Sequence, residues 1–95
     1  MTVVYDPELR RFWFPVLGHF GIGVTANSPQ QATALAIEVA TRLGWSIFCD
    51  VRVDDVDIRS LDQHHVIPNM GPPNFLGVWY PRENLQIGRT SKAVV

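Results

Sequence analysis

The stretch Ser28-Pro29-Gln30-Gln31-Ala32-Thr33-Ala34-Leu35-Ala36-Ile37-Glu38-Val39-Ala40-Thr41-Arg42-Leu43-Gly44-Trp45 decides how this chain folds. Ser28 has the side chain of a helix N-cap, Pro29 suits the first helical position, and Gln31 stands three residues after the cap, so amides that a helix start leaves free find partners. Ala32, Leu35, Ala36, Val39, Ala40 and Leu43 recur with helical spacing and form one apolar stripe, while Gln31, Thr33, Glu38, Thr41 and Arg42 make the wet side. Gly44 fits the left-handed conformation that ends a helix, and Trp45 follows where an apolar residue folds back on the last turn. The pattern predicts an amphipathic helix over about 29–43.

On the N-terminal side, Arg10-Arg11-Phe12-Trp13-Phe14-Pro15-Val16-Leu17 is aromatic and β-branched enough for a strand. Pro15 lacks an amide donor and points to an edge position. Gly18, Gly21 and Gly23 punctuate the next segment, after which Ile22, Val24 and Ala26 alternate with Gly23, Thr25 and Asn27. A β-hairpin is expected. On the C-terminal side, Ser46 to Asp54 alternates cleanly, with Ile47, Cys49, Val51 and Val53 on the side expected to be buried and Phe48, Asp50, Arg52 and Asp54 opposite. Residues 60–75 hold three prolines and a glycine and read as a long ordered loop with a short helical turn. Leu76 to Tyr80 reads as a last strand, stopped by Pro81.

The expected class is therefore α+β: a small, mostly antiparallel sheet with one helix on one face, in the order ββαββ. That order is similar to the ubiquitin-like β-grasp domains, a likeness of architecture; the last residues, Ser91-Lys92-Ala93-Val94-Val95, lack a terminal Gly-Gly, and conjugation is not implied. The 95 residues, 46% hydrophobic and 18% charged, suit one domain over 1–95, with 1–9 and 88–95 expected to be loose. Apolar runs far shorter than the roughly 20 residues of a spanning helix predict no membrane segment. A lone Cys49 and the absence of a leader-like start make the cytoplasm the expected compartment. Eight Lys/Arg against nine Asp/Glu leave a net charge of -1, which argues against a nucleic-acid partner.

Histidines are the first candidates for chemistry. Asp62, His64 and His65, with His19 from the glycine-rich turn, carry the residue types of acid–base work or of a two-His, one-carboxylate metal site. Adjacent histidines seldom face one ion, the helical metal spacing is missing, and Cys49 has no CxxC partner. No metal and no cofactor are expected. His64-His65-Val66-Ile67-Pro68 and Glu83-Asn84-Leu85-Gln86 are similar to two fragments of the HNH nuclease motif, in which a His near an Ile-Pro step activates water and a later Asn orients the site. Between them a strand is expected, and no later His supplies the remaining ligand. A metal-dependent hydrolase or nuclease-like enzyme on the Asp62, His64, His65 loop is the alternative reading. Gly18 to Gly23 runs into a strand rather than a helix, which suits a tight hairpin turn and not a phosphate loop. Cys49, on the side expected to be buried, suits packing better than nucleophilic work.

Five acids, Asp50, Asp54, Asp55, Asp57 and Asp62, stand against Arg52 and Arg59. A solvated turn is the expected fate of Asp54-Asp55-Val56-Asp57. Aromatic placement says more. Phe12, Phe14, Val78 and Tyr80 are expected to meet the helix, which leaves Trp13, Phe48 and Trp79 on the opposite face. Large rings there demand a cover. Either the Pro-rich loop folds back, with Ile67, Met70 and Phe75 as the lid, or a partner does. In the second case Trp13, Phe48 and Trp79, rimmed by Arg11, Arg52 and Arg82, form a binding surface for another protein or for a second copy in a homodimer. The function expected first is a small non-catalytic protein–protein interaction module of the bacterial immunity, antitoxin or adaptor type.

Overall fold

The computed structural model describes residues 3–47, 51–90 and 92–94. Helix α1 spans Pro29–Leu43, as its end signals require. Ser28 Oγ accepts the Gln31 amide at 3.1 Å, and the Gln31 side chain turns back to accept the Asn27 amide at 2.8 Å. Gly44 closes the helix at φ 69°, and the Trp45 amide donates to Ala40 O at 2.9 Å. Small residues dominate the buried face: Ala32, Ala36, Val39 and Ala40 are buried, Leu35 is half-buried, and Leu43 at the end of the stripe is exposed. Little side-chain bulk then separates the helix from the strands beneath it.

The fold is α+β. A four-stranded antiparallel sheet has the order β4-β2-β3-β5, with β2 at Arg10–Phe14, β3 at Ile22–Ala26, β4 at Val53–Asp54 and β5 at Gly77–Tyr80. Strands β2 and β3 form the expected hairpin, Arg10 opposite Ala26 and Phe14 opposite Ile22. Strand β2 lies inside the sheet, not at its edge, because it ends at Phe14 and leaves Pro15 outside the ladder. All pairings in this sheet are antiparallel, so the β-grasp comparison gains no support from the strand order.

Two further strands, β1 at Val4–Asp6 and β6 at Lys92–Val94, pair in parallel. The chain ends expected to be loose are thus tied to each other. Leu76 N–H donates to Lys92 O at 2.9 Å and Val94 N–H to Asn74 O at 2.6 Å, which joins β6 to the segment before β5. Phe75 bridges Ala93 and carries the Arg89 guanidinium over its ring. Its expected place in the lid is therefore not the one it takes.

The strand expected over 46–54 is reduced to Val53–Asp54, which pairs with Trp13 and Phe12. Val51 is 49% and Val53 42% exposed, so these two face solvent, while Ile47 of the same set is half-buried against the helix-side core. The physical reason is position: a two-residue edge strand has one neighbour, and the helix packs mainly on β3. Phe48, Cys49 and Asp50, with the expectations attached to them, lie outside the described residues.

Two apolar layers fill the two faces. On the helix side Phe12, Phe14, Ile22, Val24, Ala26 and Val78 meet the small residues of α1. On the other side Trp13 and Trp79 stack at 5.9 Å and 27°, under a cover of Val56, Leu61 and Val66 with Ile67, Met70 and Leu85 beside them. Tyr80, expected on the helix side, packs on Trp13 at 5.7 Å instead. A register shift in the β3–β5 pairing explains this. Gly23 opposes Tyr80 while Val24 opposes Val78, so one extra residue in β5 changes the side on which Tyr80 emerges.

Gly23 is required by that second layer. A Cβ on it would overlap the Trp79 indole, whose ring is confined by the loop above. Gly23→Ala is therefore expected to cost about 1–3 kcal/mol by overpacking. Urea unfolding measures it, and a change under a few tenths would show that the ring has room to move.

Candidate functional site

The segment that covers the tryptophans is anchored by side chains of β2 and β3. Thr25 Oγ1 donates to Pro73 O at 2.5 Å and Arg11 Nε to the same oxygen at 3.3 Å. Thr25 is fully buried, so this bond satisfies a hydroxyl that would otherwise stand unpaired in the core. The Gly71 amide donates to Trp79 O at 2.7 Å, laying the loop along the outer side of β5.

Asp62 shapes the next turn of the cover. One carboxylate oxygen, Oδ1, accepts the His64 amide at 2.9 Å, the His65 amide at 2.7 Å and contacts His65 Nδ1 at 3.1 Å. Its carbonyl accepts the Val66 and Ile67 amides at 3.1 and 3.0 Å. These amide donors, the His65 amide foremost, hold the Asp62 carboxyl below its ordinary range. Asn69 Nδ2 donates to His65 O at 2.8 Å and closes the turn from the other end.

The turn meets the β2–β3 hairpin at a cleft of about 750 Å³. Its walls come from four places: Gly18, His19 and Phe20 of the hairpin, Leu43 and Trp45 at the end of α1, His65 and Asn69 of the turn, and Tyr80 to Glu83 after β5. Two ring pairs hold these pieces together. His19 stacks on Trp45 at 4.0 Å and 19°, and His65 stacks on Phe20 at 4.7 Å and 18°. The Trp45 indole N–H and the Tyr80 hydroxyl make no hydrogen bond among the described residues, and Arg82 and Glu83 make no ion pair there. Burial, then the charges of Glu83 and Asp62, push the Tyr80 phenol above its ordinary pKa.

The residues singled out from sequence are distributed unevenly around this cleft. His19, His65 and Arg82 line it, and Asp62 supports it through His65. His64 is exposed and outside it. Among the described residues no three His, Cys, Asp or Glu side chains are grouped to hold a metal ion. Asn84, the second element of the nuclease comparison, is buried on a 3-10 turn over Arg82–Asn84.

The tryptophan surface needs correction. Trp13 is 8% and Trp79 1% exposed, so neither presents a ring to a partner; the loop fills the face because burying two indoles within the chain needs no second molecule. Arg11 is half-buried and bound to Pro73 O, and Arg52 pairs with Asp54 Oδ1. Arg82 alone of the expected rim borders the cleft. Phe20, Leu43, Trp45, Tyr80 and Glu83 were not among the candidates. Phe20 carried a readable signal, since a large ring in a glycine-rich turn occupies a place usually held by small polar residues.

Asp62→Ala is expected to lower the melting temperature at neutral pH. The folded pKa is depressed, so the contribution is complete above the ordinary value of 3.8 and is lost as pH falls through the lower folded value. Thermal melts of the two proteins should therefore converge in acid. A gap that stays constant down to pH 2 would refute the capping role.

No helix among the described residues is long and apolar enough to cross a membrane. No family model matches the chain, and no curated protein and no solved structure matches it either.

Proposed function

We propose that this protein is a non-catalytic binding module that holds a partner protein in the cleft between the hairpin turn and the Asp62–Asn69 turn. The observation that carries this reading is the set of unspent binding groups gathered there. Aromatic rings whose polar tips make no hydrogen bond among the described residues, Trp45 and Tyr80, stand beside two charges without an ion-pair partner there, Arg82 and Glu83, in one concave site. Such rings and an arginine are the side chains that dominate binding energy at protein interfaces. Asp62, the carboxylate in contact with a histidine, is occupied by two backbone amides, which suits a structural task better than proton transfer. An adaptor or immunity-type role is one setting for such a module.

The Asp62–His65 contact at 3.1 Å is also the geometry of a carboxylate that orients a general base, and it favours a hydrolase as the second reading. Cleavage of p-nitrophenyl acetate or phosphate that rises with pH and disappears in His65→Gln would establish it.

For the binding reading, selection from a random dodecapeptide display library is the test. Phe20 and Leu43 are exposed, and Phe20→Ala/Leu43→Ala, which gives up the Phe20–His65 stack at a cost of about 0.5–1.5 kcal/mol, is expected to leave the protein folded. Peptides enriched on the wild-type protein and lost on this double variant are the expected result. Enrichment that ignores the variant, or none at all, would remove the cleft as a binding site.

A further inference from the structure

The kind of partner can be argued from what the cleft offers and what it withholds. Its free polar groups on the Trp45 and Tyr80 walls can all donate: the indole N–H of Trp45, which only donates, and the hydroxyl of Tyr80, which donates or accepts, with the donor-only Arg82 guanidinium beside them. A ligand read by these groups presents carbonyl oxygens. Strand addition is one way to satisfy a peptide's own amides, and along β5, whose Tyr80 borders the cleft, it is closed off. On the outer side of β5, Trp79 O is taken by the Gly71 amide, and the Val78 amide donates to Ile87 O at 3.0 Å. The peptide that needs the least from a missing strand edge is one with few amides, an extended proline-rich segment, whose prolyl rings also pack flat on aromatic walls.

Charge narrows the choice. Glu83 lines the cleft together with Tyr80 and Arg82. Glu83 has no ion-pair partner among the described residues. A basic side chain at one end of the segment complements that corner, while Arg82 suits a carbonyl or a carboxylate further along.

We infer that the cleft binds an extended, proline-rich peptide segment of a partner protein, its prolines seated between Phe20, Trp45 and Tyr80 and a flanking arginine or lysine directed to Glu83. This rests on the binding reading above and names its ligand class. The mode needs no movement of the sheet, because the aromatic walls are already held by the His19–Trp45 and Phe20–His65 stacks.

The test uses the intact chain and two display libraries, one with a fixed Pro-x-x-Pro core and an arginine at either end, the other with alanine at the proline positions. The best proline peptide is then titrated by calorimetry and followed through the Trp45 indole resonance. Preferential enrichment of the proline library is expected, with a Trp45 indole shift on binding and roughly tenfold weaker binding when the prolines become alanine. Tyr80→Phe keeps the ring and removes only the hydroxyl, whereas Trp45→Phe keeps an aromatic wall but gives up the indole N–H and part of the ring area; each should weaken binding several-fold, and Glu83→Gln should weaken only peptides that carry the basic residue. Equal enrichment of the two libraries, or binding indifferent to all three substitutions, overturns the inference. In that case cleft-dependent binders without proline from the random library would leave the binding function standing, whereas their absence would remove both.

Discussion

The contact on which the rest of this structure depends is the face of the Trp79 indole lying on Gly23, with Trp13 stacked beside it. A single helix covers one side of a four-stranded sheet, and the other side must either meet water or find a second cover. Two indoles there represent roughly 300–500 Å² of mostly apolar surface. The loop between β4 and β5 supplies the cover, and Gly23 supplies the space, since any side chain at that position would lift the indole off the sheet. A domain this small therefore has two thin apolar layers, one on each side of β2 and β3, instead of one thick core.

Covering the tryptophans has a consequence for the surface. To lie over them, the loop must be held at both ends and along its length, and its anchors are backbone and side-chain hydrogen bonds: Pro73 O to Thr25 and Arg11, Gly71 to Trp79, and the Asp62 carboxylate to the amides after it. These bonds deliver His65 and Asn69 to the tip of the β2–β3 hairpin. The cleft is thus the seam where the lid meets the hairpin and the end of α1, and its walls are stiffened by histidine rings set on aromatic ones. Packing that stabilises the fold and geometry that shapes the site come from the same loop.

The acidic residues around and after β4 find arginines within the chain. Asp57 pairs with Arg59 two residues on, Asp55 reaches Arg10 at 2.8 Å, and Arg52 pairs with Asp54. The acidic stretch after β4 is in this way neutralised within the chain, and it behaves as the solvated turn that its composition suggests. Among the described residues Arg82 and Glu83, like Glu8, Glu38, Arg42 and Lys92, have no ion-pair partner, and of these Arg82 and Glu83 are the ones that border the cleft. Small exposed ion pairs contribute little to stability, so the arrangement bears more on which surfaces remain available than on how firmly the chain folds.

Local chemistry was enough to determine the helix, because Ser28, Pro29, Gln31 and Gly44 act within a few residues of where they stand. The same holds for the β2–β3 hairpin and for the α+β class that follows from them. Which face each aromatic took was decided only in three dimensions: one extra residue in the β3–β5 pairing moved Tyr80 across the sheet, and period-two alternation carries no record of a bulge. The lid was legible as one of two covers for the tryptophans, but choosing it required knowing that Thr25 and Arg11 reach Pro73. The pairing of β1 with β6 joins residues at opposite ends of the chain, and no local pattern encodes a partner so distant. The cleft belongs to the same class of property. Phe20, Trp45, His65 and Tyr80 come from four separate segments, so their meeting is set by how those segments pack, and sequence alone marked the histidines as reactive residue types without showing which rings would stand beside them.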